Sequence, residues 1–153
     1  MGKLKPTQIE EYFSNHLPYR TRIMLAHSRM ANWCGDLGQL QACFEASLIT
    51  GRLYLNFLGI TKDRNDQLKC YRFRRDDVSV EDMGGKLIDP LALPPDHRDL
   101  FIGFLKMADK AAAHLTMPMK HPWERTHEVI ALICDYLELQ LYARTGRAFD
   151  PNC

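Results

Sequence analysis

The sequence predicts an all-α fold, a four- to five-helix antiparallel bundle with a long irregular connection over residues 60–94. Apolar residues recur at helical spacing in four segments, proline stands near the start of three of them, and glycine or proline follows the end of each. The chain has 153 residues, 46% of them hydrophobic, which is enough for one domain with its own core. We therefore expect a single domain over residues 1–153, with disordered ends at 1–5 and 148–153.

The N-terminal region predicts a short helix followed by a longer one. Thr7 and Glu10 have the spacing of a capping box, so a helix should begin there and run to about His16. Pro18 should open the second helix, because a missing N–H costs nothing in a first turn. The apolar face of this second helix comprises Ile23, Met24, His27, Met30, Ala31 and Cys34. Gly35 and Asp36 then interrupt the pattern.

The third predicted helix is the longest and runs from Leu37 to Leu58. Its apolar stripe comprises Leu40, Phe44, Ser47, Leu48, Gly51, Leu55 and Leu58. Ser47 and Gly51 are small and one turn apart, so a neighbouring helix can approach closely there. Gly59 is expected to end the helix in a left-handed conformation.

Residues 60–94 are rich in charge, glycine and proline and show no sustained helical period. Val78–Met83 could form one turn of helix with Asp77 as its N-cap, and the alternation over Lys69–Arg74 could equally be a short strand. Long connections inside compact domains are uncommon and often functional.

Two further helices complete the predicted bundle. One begins at Pro94–Asp96 and ends at Pro118, and the last begins at Pro122 and ends at Gly146. The buried candidates on these helices are Phe101, Phe104, Leu105, Ala108, Ala111, Ala112, Leu115, Val129, Leu132, Ile133, Tyr136, Leu137 and Leu141.

The charge is unevenly divided between the two halves of the chain. Residues 1–75 carry twelve basic and six acidic side chains, whereas residues 76–153 carry eight and thirteen. This balance argues against a wholly polycationic nucleic-acid binder. The five cysteines are scattered, with no C-x-x-C spacing, which is typical of reduced thiols. Without a signal-peptide pattern or a long apolar run, we expect a cytoplasmic protein with no membrane association.

Two segments resemble the HEPN family (higher eukaryotes and prokaryotes nucleotide-binding domain). The first is Asp109–Thr116, in which a charged pair precedes an alanine run and His114, and the second is Cys43–Leu58, with Arg52 in mid-helix. Family members carry an arginine four to six residues before the histidine, and RNA-cleaving members use both. The resemblance implies a helical bundle, a homodimer, and binding of RNA or a nucleotide.

The chain departs from the family pattern where the catalytic arginine would stand, because Asp109 occupies that position. A carboxylate there would repel a substrate phosphate. We therefore expect a non-catalytic module that binds nucleotide or RNA weakly, or another protein, without a cofactor. An RNase-type enzyme that uses His114 with Lys110 or Arg52 remains the alternative. In the simplest interpretation, His114 only interacts with the end of its helix.

A second alternative is a metal-binding bundle. Glu124 and His127 form an E-x-x-H pair, which places a carboxylate and an imidazole on one face of a helix. With His27 they would form a mononuclear site, although a core histidine is the simpler interpretation of His27.

The segment from Lys69 to Arg75 interleaves cations with aromatic rings. Cations bind phosphates and rings stack on bases, so this composition is typical of single-stranded nucleic-acid binding. A solvated loop edge with two buried rings would have the same composition. The candidate binding residues are Lys69, Tyr71, Arg72, Phe73, Arg74 and Arg75.

Overall fold

The all-α prediction is confirmed by a computed structural model that describes residues 4–30, 36–113 and 123–152. Six α-helices are described: α1 (Pro6–Glu11), α2 (Leu17–Arg29), α3 (Leu37–Phe57), α4 (Pro95–Ala113), α5 (Trp123–Leu137) and α6 (Ala143–Thr145). Two short strands, β1 (Ile60–Lys62) and β2 (Leu68–Cys70), pair as an antiparallel hairpin. In the described residues no helix is long and apolar enough to cross a membrane.

The first two helices are continuous, which differs from the predicted break near His16. A π turn over Tyr12–His16 joins α1 to α2, and Pro18 is the second residue of α2. Proline has no N–H and its ring collides with the carbonyl four residues earlier, so an α-helix cannot pass through it unchanged. The wider π turn accommodates that interruption without ending the helix. The predicted capping box is also absent, because Lys5 precedes the helix and its N–H donates to the Gln8 side chain.

Helix α3 lies at the centre of the bundle and contacts α2, α4, α5 and β1. Asp36 caps its start by accepting from the N–H of Gly38 at 3.1 Å, and Gly59 follows its end with φ of 96°. Helices α2 and α3 are antiparallel, since Leu17 lies beside Tyr54 at one end and His27 beside Ser47 at the other. Helix α2 therefore runs along the second half of α3, with its start near the end of α3 and its last turns near the middle.

The predicted close approach at Gly51 is confirmed. A Cβ atom at this position would lie 2.5 Å from the Phe104 ring of α4 and 3.4 Å from Ile133 of α5. Ser47, one turn earlier, is fully buried and its hydroxyl donates to the carbonyl of Cys43 at 2.8 Å. Small side chains at these two positions let three helices meet around α3.

The connection over residues 60–94 contains the β hairpin and two 3₁₀ turns, Val80–Met83 and Pro90–Ala92. Strand β2 takes up only the first part of the Lys69–Arg74 alternation, and residues 71–74 lie outside the strand. Ser79 caps the first 3₁₀ turn in place of the predicted Asp77. Two backbone amides of this connection form hydrogen bonds with carbonyls at the end of α3. The N–H of Tyr71 donates to the carbonyl of Gly59, and the N–H of Ile88 donates to the carbonyl of Leu58. The connection is thereby held against the bundle.

The C-terminal helices form the other wall of the core. Helix α5 continues through a π turn over Glu138–Tyr142 into α6, and Gly146, with φ of 68°, follows the end as predicted. Phe149 belongs to the predicted disordered end 148–153. The centroid of its ring lies 4.9 Å from the centroid of the Tyr142 ring. The predicted stop at Pro118 and the start at Pro122 lie outside the described residues. The largest fully buried side chains are Phe44, Phe101, Phe104, Met24, Leu48, Leu55, Leu58, Ile60, Leu105, Ile130, Ile133 and Leu137.

Candidate nucleic-acid interface

The rings and the cations in the residues after β2 differ in their surroundings. Tyr71 and Phe73 are half-buried and line a cavity of about 280 Å³, whereas Arg72 and Arg74 are exposed and do not line it. The two rings meet edge to face, with centroids 5.0 Å apart.

The cavity lies between this segment and the helices. Tyr12 and Arg20 contribute from the N-terminal helical region, and Thr50, Tyr54 and Phe57 from α3. His16, Leu17, Leu53, Asn56, Asp76, Asp77 and Val78 complete the lining. The volume is near the lower limit of small-ligand pockets, roughly 300 Å³. An aromatic-lined space of this size is suited to one planar base.

Asp77 fixes the shape of this segment. Its Oδ2 atom accepts from the Tyr71 hydroxyl at 3.1 Å and from the N–H of Arg74 at 2.8 Å. Burial raises the pKa of Tyr71, and the hydrogen bond to Asp77 raises it further, so the hydroxyl remains a donor at neutral pH. Asp77 thus orients a ring that forms part of the cavity wall.

A basic depression of about 320 Å³ adjoins the cavity, and Tyr71 lines both. The depression is lined by Thr61, Lys62, Lys69, Cys70, Tyr71, Arg72 and Arg74, with no acidic residue among them. Across the described parts of the chain, no ion pair involves Lys69, Arg72 or Arg74. Arg75 is exposed and lines neither space. Three cations are thereby available for phosphate groups.

Lys62 differs from its neighbours because it belongs to a network of ion pairs. Its Nζ atom lies 3.1 Å from Asp109 and 3.1 Å from Asp66, and Lys106 binds Asp66 at 2.8 Å. The hydrogen bonds that Lys62 donates to Asp109 and then to Asp66 raise its pKa. The Nη1 atom of Arg52 lies 2.7 Å from Asp109, at the other oxygen of the carboxylate.

Arg52 and Lys110, the two described members of the predicted catalytic set, lie in different surroundings. Arg52 pairs with Asp109, whereas Lys110 lines a separate groove of about 320 Å³ between α4 and α5. Lys106, Arg125 and Asp99 contribute the other charges of that groove. His114 lies outside the described residues.

The two histidines of the metal alternative are in direct contact. The Nδ1 atom of His27 lies 2.9 Å from Nε2 of His127, and His27 is only 4% exposed. Burial lowers the pKa of His27, and the neighbouring His127 lowers it further. The side chain of Glu124, the third residue of this hypothesis, lies outside the described part of the structure. No cluster of three or more potential metal ligands occurs among the side chains that the structure does describe.

The site residues predicted from the sequence do not include Tyr12, Arg20, Tyr54 and Phe57. They belong to helices distant in sequence from residues 69–75, and nothing in their local pattern distinguishes a cavity wall from an ordinary helix face. Only the antiparallel packing of α2 and α3 places them beside Tyr71.

A scan against protein-family models finds no match, and searches of the curated proteins and of the solved structures find no similar protein.

Proposed function

We propose that this chain is a non-catalytic, HEPN-like helical module that binds single-stranded nucleic acid, RNA in particular, through residues 69–75. The observation that carries the proposal is the position of Tyr71, which lines both the aromatic cavity and the basic depression. A strand that binds here has its phosphates beside cations while one base reaches the rings.

The energetics favour a weak, salt-dependent interaction. Stacking of a base on an aromatic ring contributes on the order of 1–3 kcal/mol. The salt slope is the slope of the logarithm of the binding constant against the logarithm of the salt concentration, and each phosphate contact to single-stranded nucleic acid adds about 0.7 to its magnitude. The three unpaired cations Lys69, Arg72 and Arg74 therefore predict a slope of magnitude about 2.

The environment of Arg52 supports a non-catalytic role. Its guanidinium is bound to Asp109, so a phosphate would have to displace a carboxylate to reach it. Asp109 also binds Lys62, so this carboxylate lies between two cations. An RNase mechanism that uses His114 with Arg52 would require these contacts to be rearranged.

The proposal includes a homodimer in the cytoplasm, which is what the family resemblance implies. A dimer presents two copies of the surface formed by residues 69–75 and raises the affinity for a strand long enough to reach both. Light scattering over a range of protein concentrations tests this part, and a strict monomer at high concentration would contradict it.

Binding can be measured by fluorescence anisotropy with a labelled single-stranded RNA of about twelve nucleotides. We expect the double variant Arg72→Ala/Arg74→Ala to weaken binding at least about tenfold and to reduce the salt slope by about 1.4. The matched control is Lys86→Ala/Arg144→Ala, which removes two exposed cations from elements that line neither space. This control should change the affinity by less than about twofold.

Substitution of Phe73 separates base stacking from charge. Phe73→Leu keeps an apolar side chain in the cavity wall but removes the aromatic face, so the affinity should fall while the salt slope stays constant. Equal losses for the two double variants would contradict the proposal, as would an absence of RNA binding by the parent protein at low salt.

A further inference from the structure

The buried imidazole pair of His27 and His127 joins elements from opposite ends of the chain. His27 lies in the last turns of α2, His127 lies near the start of α5, and the planes of their rings are inclined by 54°. The His27 ring also meets the Phe44 ring edge to face, with centroids 5.1 Å apart. These contacts therefore hold Nδ1 of His27 and Nε2 of His127 close to each other.

The contact between the two rings uses one proton. One nitrogen donates an N–H and the other accepts with its lone pair, so at least one of the rings is neutral on this side. The low exposure of His27 disfavours a charge there. Neutral imidazole is the form of histidine that binds metal ions.

We propose that His27 Nδ1 and His127 Nε2 are two ligands of a site for a borderline divalent transition-metal ion such as Zn²⁺. Two imidazole nitrogens at about 2.0–2.1 Å from a tetrahedral Zn²⁺ lie about 3.3 Å apart. The observed separation is 2.9 Å, so the rings need to part by only a few tenths of an ångström. The metal ion would take the place of the shared proton, and the ring that donated it would carry its proton on its other nitrogen, so both ligands stay neutral imidazoles.

The metal ion needs further ligands besides the two imidazoles. Water can complete the coordination sphere. Because the ligands lie on α2 and α5, binding would connect helices from both ends of the chain and stabilise the fold by mass action.

The test uses tag-free, full-length protein titrated with Co²⁺ and with Zn²⁺. We expect one Co²⁺ per chain with visible absorption bands of low-coordinate cobalt, displacement by Zn²⁺, and a higher melting temperature with either metal ion. His127→Gln and His27→Asn should each weaken binding at least about tenfold. These substitutions place an amide group near the original ring nitrogen, so the contact between the helices is retained while an imidazole ligand is removed.

Three controls determine whether the bound metal belongs to this pair. His16→Gln removes an exposed histidine elsewhere and should leave the affinity unchanged. His114→Ala/His121→Ala removes two histidines that precede α5 in sequence and should retain the cobalt spectrum of the parent. X-ray absorption of the zinc-loaded parent should show at least two imidazole ligands, a measurement that does not depend on whether a variant folds.

Three results would overturn the inference. The first is no binding by the parent protein at about 1 mM metal ion, a concentration at which a two-imidazole site should bind. The second is full affinity in a folded His127→Gln variant, and the third is fewer than two imidazole ligands in the zinc-loaded parent.

Discussion

Asp109 binds Arg52 at 2.7 Å in the contact between α4 and α3. Its other carboxylate oxygen lies 3.1 Å from Lys62, at the end of β1. Asp109 is thus an anion that binds two cations of its own chain. These contacts link the central helix to the hairpin.

Removal of the Asp109 carboxylate should cost little stability. Asp109→Ala leaves Arg52 and Lys62 without their shared partner, but both carboxylate and guanidinium are about 40% exposed, so solvent screens the loss. We expect a decrease of about 1 kcal/mol or less in the free energy of unfolding, measured by urea denaturation. A double-mutant cycle with Arg52→Ala should give a coupling of a few tenths of a kcal/mol, and no coupling at low salt would contradict the pairing.

Gly51→Ala should be destabilising despite the better helix propensity of alanine. The propensity gain is at most about 1 kcal/mol, whereas the new methyl group would lie 2.5 Å from the Phe104 ring, which is only 1% exposed. Overpacking of this kind costs about 1–3 kcal/mol, so we expect a net loss of stability in urea denaturation. Gly103→Ala is the matched control, because its Cβ meets nothing within 4 Å. The opposite ranking of the two variants would contradict the packing around α3.

Tyr54→Phe should show that one hydroxyl connects α3 to α2. The Tyr54 hydroxyl donates to the carbonyl of Leu17 at 2.8 Å and lies 2.8 Å from the Thr21 hydroxyl. Burial raises the pKa of Tyr54, so the group is neutral throughout the physiological range. We expect a loss of about 1–2 kcal/mol in the free energy of unfolding. Thr21→Val combined with Tyr54→Phe should cost less than the two single losses together, and strict additivity would count against the contact.

The stability of the metal-free protein should fall on acidification because of His27. Its pKa in the folded state is below the ordinary 6.5, so the unfolded chain takes up the proton first as the pH falls. The contribution of neutral His27 to stability is complete above pH 6.5, and it is lost as the pH falls from there through the folded-state pKa of His27. Through this group the free energy of unfolding changes by at most about 1.4 kcal/mol per pH unit. His27→Asn should flatten the dependence measured by urea denaturation, and an unchanged slope would exclude this origin.

Much of the fold follows from local rules that the sequence displays. The 3.6-residue period of apolar residues predicts α3, α4 and α5, and the left-handed conformations of Gly59 and Gly146 mark the ends of their helices as expected. The continuous helix through Pro18 does not follow from such rules. Whether proline ends a helix or is bypassed by a π turn depends on the packing of both flanking segments, as Phe13 and Leu17 are both buried.

The candidate site is predictable only in part for a similar reason. The composition of residues 69–75 identified the segment, but the helical residues beside it come from the π turn, α2 and α3. Asp77 has a residue type that is typical of an N-cap. Its carboxylate instead accepts hydrogen bonds from the Tyr71 hydroxyl and the N–H of Arg74, which fix the shape of the loop. His27 and His127 are one hundred residues apart, so their contact depends on the tertiary fold.

The chain departs from the end of α3 at Leu58 and Gly59, and the amides of Tyr71 and Ile88 return to these same two carbonyls. The hairpin is consequently closed on the bundle at its base and is joined to α4 by the ion pairs of Lys62 and Asp66, while Arg64 and Asn65 at its tip are exposed. Insertions between Arg64 and Asn65 should therefore lengthen the tip without disturbing the helices beneath it.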